Sequence, residues 1–297
     1  MCVWLSSNRR GDDIKLDGSL RAWLRRNSLL AYTVLAYALS WAVEIPIALS
    51  VRGTIHRAVP LWIHYLASLG PSLAALIVSL LTEGPRGVAR LLRGLGRWRV
   101  GWHYALFAIF APPALFALAV LATGLMQGAP PDLSLLGQVD YLPYLGIPRA
   151  LLLWLLTFGL AEEIGWRGFA LPRLQATRSA FSASLILGVL WALWHLPAFL
   201  YRDTYMAMGL LVVPTMLFSV TVGSIVHTWL YNGTRGSLLM VVLFHGLFDF
   251  FSVSAAGGET APVIMTAVLV FWAVRVIKVY GSANLAPVEK VVYSDRA

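Results

Sequence analysis

The stretch AEEIGWRGFALPRL, residues 161–174, places two adjacent glutamates and an arginine directly after the apolar run LLLWLLTFGL, residues 151–160. The apolar run by itself has the character of a membrane helix. A charge at the centre of a membrane helix costs about 2.5–3.5 kcal/mol on insertion scales, so several charges in one span need compensation. The stretch therefore predicts polar side chains that meet partners from other helices inside a membrane.

The composition of the whole chain supports a membrane protein. Of its 297 residues, 59% are hydrophobic and 12% are charged, and the mean hydropathy is +0.73. Soluble domains usually have about 45–50% apolar and about 25% charged residues. We therefore predict an all-α, polytopic transmembrane helical bundle.

Eight continuous apolar segments are each close to the ~20 residues that a helix needs to cross a bilayer. They are not alternating, so they do not predict a membrane β-barrel. The segments cover residues 28–50, 60–82, 102–126, 149–172, 180–200, 206–231, 236–254 and 261–281. About eight spans are therefore expected, in a single domain covering 28–281 with a motif core at 149–254.

The net charge is +9, and the basic residues are distributed unevenly between the two sides of the predicted membrane segments. If the N-terminus lies inside, the inner segments hold 18 of the 23 Lys and Arg residues and the outer loops hold four. This bias follows the positive-inside rule. It predicts a multi-pass protein of the plasma (inner) membrane with cytoplasmic tails at 1–27 and 282–297. The excess charge indicates attraction to membrane lipids and not to nucleic acid.

One inner loop has a distinctive pattern of basic residues. In PRGVARLLRGLGRWRVGWHY, residues 85–104, the side chains of Arg86, Arg90, Arg93 and Arg97 follow helical spacing. The pattern indicates an amphipathic helix lying on the cytoplasmic membrane surface. A solvated basic linker is the alternative.

Of the three charged residues Glu162, Glu163 and Arg167, helical spacing allows only two to form an ion pair. Glu163 and Arg167 are four residues apart on one helix face and can form an ion pair. Glu162 points about 100° away from Glu163 around the helix axis. An ion pair that only fixes helix packing accounts for Glu163 and Arg167 but leaves Glu162 unexplained.

Two further apolar segments carry polar side chains. LWALWHLPAFL, residues 190–200, contains His195, and LLMVVLFHGLFDFF, residues 238–251, contains His245 and Asp249 on one helix face. Each histidine alone is more typical of a helix-to-helix hydrogen bond than of a functional group. Glu, His, and His with Asp on three separate helices together predict a polar cavity of acid–base residues between segments 4, 5 and 7. We interpret His227 and Glu44, which also lie in apolar segments, as structural residues, with a helix-packing hydrogen bond for Glu44.

These three motifs together resemble those of the CPBP family of intramembrane proteases. This family includes the type II CAAX prenyl endopeptidases and bacterial Abi-type, bacteriocin-processing relatives. The matching residues are Glu162-Glu163-x-x-x-Arg167, Trp191-x-x-x-His195 and His245-x-x-x-Asp249. The family commonly has phenylalanine at the position of Trp191, and its prenyl endopeptidases typically have asparagine at the position of Asp249.

The resemblance implies an intramembrane endopeptidase that acts on a membrane-associated peptide or protein, prenylated in the CAAX branch. By analogy, Glu162 activates a water molecule and His195 helps to hold it. His245 and Asp249 polarise the scissile carbonyl, and the Glu163–Arg167 pair supports Glu162. Aspartate is a poorer hydrogen-bond donor than asparagine unless it keeps its proton.

The cofactor and the function class each have an alternative. A metal-free glutamate mechanism, with no cofactor, is favoured, but one carboxylate and two histidines are also enough protein ligands for a catalytic zinc. The zinc signature HExxH is absent from the sequence. A non-enzymatic binder or a proton-coupled transporter is the other functional class, because buried Glu, His and Asp also build proton relays. Nothing in the sequence identifies the substrate.

Overall fold

The computed structural model of the protein describes residues 18–209, 212–258 and 260–294, and the helices within these ranges form one bundle. No β-strand occurs in the described ranges, so the all-α prediction is confirmed. The helices, in chain order, are α1 (Gly18–Arg26), α2 (Ser28–Val51), α3 (Leu69–Glu83), α4 (Pro85–Leu92), α5 (Trp102–Gln127), α6 (Ile147–Trp154), α7 (Ala161–Glu163), α8 (Leu171–Gln175), α9 (Ala180–Trp194), α10 (Asp203–Met208), α11 (Val212–Gly233), α12 (Leu238–Ser252) and α13 (Thr260–Asn284).

Within the described residues, six helical segments are long and apolar enough to cross a membrane: Ser28–Val51, Leu61–Glu83, Trp102–Gln127, Ala180–Leu200, Val213–Gly233 and Thr260–Asn284. They correspond to six of the eight predicted spans. The other two predicted spans are helical too, but they differ in form. The fourth is the run 147–175, which is interrupted by π-helical turns, and the seventh is the 15-residue helix α12. At 1.5 Å per residue, α12 extends over about 22 Å, less than a hydrocarbon core of about 30 Å.

The boundary of the sixth span differs from the sequence prediction. Instead of one helix from residue 206, the chain forms the short helix α10, which ends at Met208 with Gly209 as its C-cap, and α11 starts at Val212. Gly209 has a φ of 67°, a left-handed conformation that glycine adopts without a steric penalty. The sequence prediction missed this break because residues 206–212 are apolar and continue the hydrophobic run.

Small residues let the helices of the motif core approach one another closely. A Cβ atom added at Gly159 would lie 2.6 Å from the Val242 carbonyl oxygen of α12, and one at Gly246 would lie 2.9 Å from the Leu155 Cα atom. Contacts through small residues are typical of membrane helix packing, where backbones come together without intervening side chains. The run 147–175 and α12 are therefore held backbone to backbone next to the polar motifs.

The N-terminal tail predicted at 1–27 is only partly described. Residues 18–26 form α1, with exposed and partly exposed side chains, while Cys2 and the rest of 1–17 lie outside the described residues. The predicted C-terminal tail, 282–297, is described up to residue 294. The basic loop begins with α4, as its spacing predicts, and continues as a 3-10 turn, Arg93–Gly96.

Candidate active site

The glutamate pair lies between two π-helical turns. Residues Leu155–Leu160 and Ile164–Ala170 are π-helical, and the three-residue segment α7 between them carries both carboxylates. π-Helical turns within α-helices are frequent at functional sites. Glu162 is 1% exposed and Glu163 is 0% exposed, because neighbouring helices cover this helix on more than one side.

Glu163 forms the ion pair that its spacing to Arg167 predicts. The Arg167 Nη1 atom lies 2.7 Å from Glu163 Oε1, and both side chains are fully buried. The Arg167 guanidinium group also lies over the ring of Trp191, 4.4 Å from its centroid. A buried charge pair is stable only when further contacts compensate for the lost hydration, and the indole face supplies one such contact.

His245 links the same carboxylate to α12. Its Nδ1 atom lies 2.8 Å from Glu163 Oε1, and its Nε2 atom lies 3.2 Å from Asp249 Oδ2. Asp249 is the more accessible partner, with a side chain that is 28% exposed, whereas the His245 side chain is 2% exposed. Both ring nitrogens thus face carboxylate oxygens, but the Nδ1 contact lacks the geometry of a hydrogen bond.

Glu162 has separate partners, in agreement with the sequence argument that it does not share the Glu163–Arg167 arrangement. Its Oε2 atom accepts a 2.7 Å hydrogen bond from the Trp191 indole and a 3.3 Å hydrogen bond from the Trp166 indole. Its Oε1 atom accepts no hydrogen bond from the described residues. One oxygen is therefore fixed by two indole N–H groups and the other is left for a small hydrogen-bonding ligand such as water.

Trp191 is the residue that connects the motifs. Besides its contacts with Glu162 and Arg167, its ring lies edge-on to His245, with ring centroids 5.0 Å apart. His195, one turn further along the chain, is partly buried, and its Nδ1 atom lies 2.8 Å from the Trp191 carbonyl oxygen. Among the described contacts, His195 forms no hydrogen bond to either glutamate, so the predicted link from His195 to Glu162 is not a direct one.

His227 of α11 is a buried neighbour of the candidate site that sequence reasoning missed. It is 3% exposed, and its ring centroid lies 5.3 Å from that of His245 and 5.4 Å from that of Trp191. Its Nδ1 atom is 2.8 Å from the Gly223 carbonyl oxygen, while its Nε2 atom is buried without a hydrogen-bond partner. The signal in the sequence was a histidine in an apolar span, which marks a functional candidate in a membrane protein.

Glu44, the other polar residue assigned to packing, has a protein partner. Its Oε1 atom accepts a 3.0 Å hydrogen bond from the Tyr201 hydroxyl, and the residue is 6% exposed. This contact joins α2 to the segment after α9. It agrees with the helix-packing role that the sequence suggested for Glu44.

The grouping of Glu163, His227 and His245 could hold a metal ion, since one ligand atom from each lies within 4.8 Å of the others. The carboxylate in this group is Glu163, whereas the glutamate expected to be catalytic is Glu162. Tetrahedral zinc with bonds of about 2.0–2.2 Å needs ligand atoms roughly 3.4 Å apart, so the group would have to contract. The Arg167 guanidinium, 2.7 Å from Glu163 Oε1, would repel a cation there. The set therefore fits a zinc ion poorly.

Comparison with known proteins identifies the same region of the chain. Residues 144–251 match the sequence profile of the Rce1-like type II CAAX prenyl endopeptidases. A relative named CAAX prenyl protease 2, from Methanococcus maripaludis, is 29% identical over 173 residues, which are 56% of this chain. The matched part spans 61% of the relative's length. The resemblance that the three motifs indicated is confirmed by these matches.

Proposed function

We propose that this chain, whose residues 144–251 match the Rce1-like type II CAAX prenyl endopeptidases, is an endopeptidase that cleaves a membrane-associated peptide with a glutamate-activated water molecule. The observation that carries the proposal is the environment of Glu162. A general base needs a carboxylate held in one orientation with an oxygen directed at the proton it removes. The two indole hydrogen bonds to Oε2, with none from the described residues to Oε1, meet this requirement.

Each other motif has a part in this proposal. Attack of the Glu162-bound water on the scissile carbonyl moves its proton to Glu162 and places negative charge on the carbonyl oxygen. The positive charge of His245, whose two nitrogens face the carboxylates of Glu163 and Asp249, stabilises that oxygen electrostatically and without a direct hydrogen bond. Protonated Glu162 then returns the proton to the leaving amine, which balances the hydrolysis. The partly exposed His195 assists in holding the water, and the Glu163–Arg167 pair fixes His245 and Trp191.

The geometry also supports a specific role for Asp249. Asparagine at this position can donate a hydrogen bond, whereas a carboxylate accepts one. Because Asp249 Oδ2 lies 3.2 Å from His245 Nε2, we assign Asp249 the role of holding the His245 ring and its charge. In this assignment His245 stabilises the oxyanion and Asp249 does not contact it.

The substrate class is a peptide or protein attached to the membrane. The relative in M. maripaludis carries the name of a prenyl protease, so a prenylated C-terminal peptide is the first substrate to test. No metal ion takes part in the proposed reaction. The decisive experiment is cleavage by a Glu162→Gln variant.

Trp191→Phe is expected to reduce kcat about tenfold and to leave KM nearly unchanged. Phenylalanine keeps an aromatic face for Arg167 but removes the N–H that orients Glu162, and a hydrogen bond to a charged group contributes about 1.5–3 kcal/mol. The 3.3 Å bond from Trp166 retains part of the orientation. The measurement is steady-state cleavage of one substrate by both proteins in detergent.

Trp194→Phe is the matched control for this prediction. Trp194 belongs to the same helix and is 4% exposed, but its indole nitrogen has no hydrogen-bond partner. This variant should cleave at nearly the parental rate. If the two variants lose activity equally, the indole N–H of Trp191 has no orienting role.

For the topology, we propose that both tails lie in the cytoplasm of a cell with an inner membrane. Single cysteines at Ser6 and Asp295, in a Cys2→Ser background, should react with a membrane-impermeant thiol reagent only after the cells are permeabilised. The reason is the excess of Lys and Arg in the inner segments. Labelling of either position in intact cells would contradict the proposed orientation.

A further inference from the structure

A cavity of about 180 Å³ lies where α4, α8, α12 and residues 291–294 meet, at the end of the bundle that carries the basic loop. Its charged lining consists of Arg90, Arg93, Arg97 and Arg173 with one carboxylate, Glu83. The cavity is therefore strongly cationic. It is separate from the glutamate and histidine residues of the candidate active site.

The single carboxylate of the cavity is already fully engaged. Glu83 Oε1 lies 2.5 Å from Arg173 Nη2, and Glu83 Oε2 lies 3.0 Å from Arg90 Nη2. The Arg90 Nε atom is buried without a hydrogen-bond partner. The Arg93 side chain forms no ion pair or hydrogen bond with the described residues, and the Arg97 guanidinium donates, among them, only to the Arg235 carbonyl oxygen. The positive charge of Arg93 and Arg97 is therefore not compensated by any carboxylate of the described residues.

The turn that carries Arg93 is held firmly against the bundle. A Cβ atom added at Gly94 would lie 2.8 Å from Leu238 Cγ and 2.9 Å from the Gly236 carbonyl oxygen. A side chain at residue 94 would thus force the turn away from α12. The close contact fixes the backbone from which Arg93 extends and makes the cavity a built feature rather than a loose surface patch.

Exposed tryptophans place the cavity at the level of lipid headgroups. Trp98 is 64% exposed and Trp102 is 75% exposed, and both follow the arginine-bearing turn in the chain. Tryptophan is enriched at the boundary between lipid tails and water. Guanidinium groups match the geometry of phosphate oxygens and bind them with paired hydrogen bonds.

We propose that this cavity binds the phosphate group of an anionic phospholipid on the side of the membrane that carries the basic loop. Arg93 and Arg97 supply the uncompensated charge, and the Arg90 Nε–H is a further donor. The site anchors the inner end of the helix that bears Glu162, because Gly168 and Pro172 line the same cavity. This proposal does not depend on the proposed peptidase activity.

The test measures lipid binding by the purified full-length protein in neutral detergent. Phosphatidylglycerol should raise its thermal unfolding temperature more than phosphatidylcholine does, and native mass spectrometry should show the same preference. Arg93→Ala should weaken the apparent affinity for phosphatidylglycerol about tenfold or more, and Arg93→Lys, which keeps the charge without the planar fork, should weaken it less. Inorganic phosphate alone should have little effect.

Arg86→Ala is the matched control. Arg86 is also exposed and belongs to α4, but it does not line the cavity. Its loss should change the affinity less than about twofold. Equal losses for Arg86→Ala and Arg93→Ala, or no preference for phosphatidylglycerol, would show surface charge attraction only and overturn the proposal. If inorganic phosphate raised the unfolding temperature as much as phosphatidylglycerol does, the ligand would not be a lipid.

Discussion

Glu162→Gln is expected to lower the rate of peptide cleavage by about 10²–10⁴-fold and to leave the fold intact. Glutamine has the shape of glutamate, and its carbonyl oxygen can still accept the indole hydrogen bonds of Trp191 and Trp166. Only the basicity is removed. The measurement is cleavage of a prenylated C-terminal peptide, together with a comparison of membrane peptides from cells that express the parental protein or the variant.

The control for this change is Glu44→Gln. Glu44 is also a buried glutamate, but it is hydrogen-bonded to the Tyr201 hydroxyl and lies outside the three motifs. The same chemical substitution there should leave cleavage within about twofold. Retained cleavage in Glu162→Gln would contradict the glutamate mechanism and favour the transporter or binding alternatives.

A chelator experiment with the parental protein separates the two hydrolytic mechanisms. If Glu162 alone activates the water, cleavage should persist after treatment with a strong chelator. Loss of activity that returns when zinc is added would instead assign the chemistry to the group of Glu163, His227 and His245. In that case His227→Ala should abolish cleavage as completely as Glu162→Gln.

The sequence predicted those features that depend on local spacing. Glu163 and Arg167 are four residues apart, and so are His245 and Asp249, so each pair was expected to meet on its own helix face. The long apolar runs likewise located the helices, because a membrane helix needs a fixed length of apolar chain. Both features follow from residues close together in the chain.

Contacts between helices could not be predicted in the same way. The hydrogen bond from Trp191 to Glu162 joins residues on different helices, and neither residue type nor spacing specifies it. The position of His227 beside His245 depends on how α11 rotates against α12. Small residues allow these close helix contacts. At Gly188, for example, an added Cβ atom would lie 2.7 Å from the Thr221 Cα atom. Nothing in the sequence around such a glycine distinguishes it from other glycines.

Arg167→Ala is expected to destabilise the protein by about 3–5 kcal/mol and to reduce cleavage as a consequence. Arg167 is fully buried, and its loss leaves the Glu163 carboxylate in a low-dielectric environment without its 2.7 Å partner. It also removes the cation from the face of Trp191, which orients Glu162. The measurement is thermal unfolding of the purified variant in detergent.

Two further variants separate the charge from the packing in this prediction. Asp140→Asn removes the 44% exposed partner of Arg202 and should cost less than about 1 kcal/mol, because water screens that pair. Glu163→Gln combined with Arg167→Met removes both buried charges and should recover much of the stability lost in Arg167→Ala, because no uncompensated carboxylate remains. Cleavage should stay low in this double variant, since His245 loses the carboxylate that faces its Nδ1 atom. A parental unfolding temperature for Arg167→Ala would mean that the ion pair does not hold the site together.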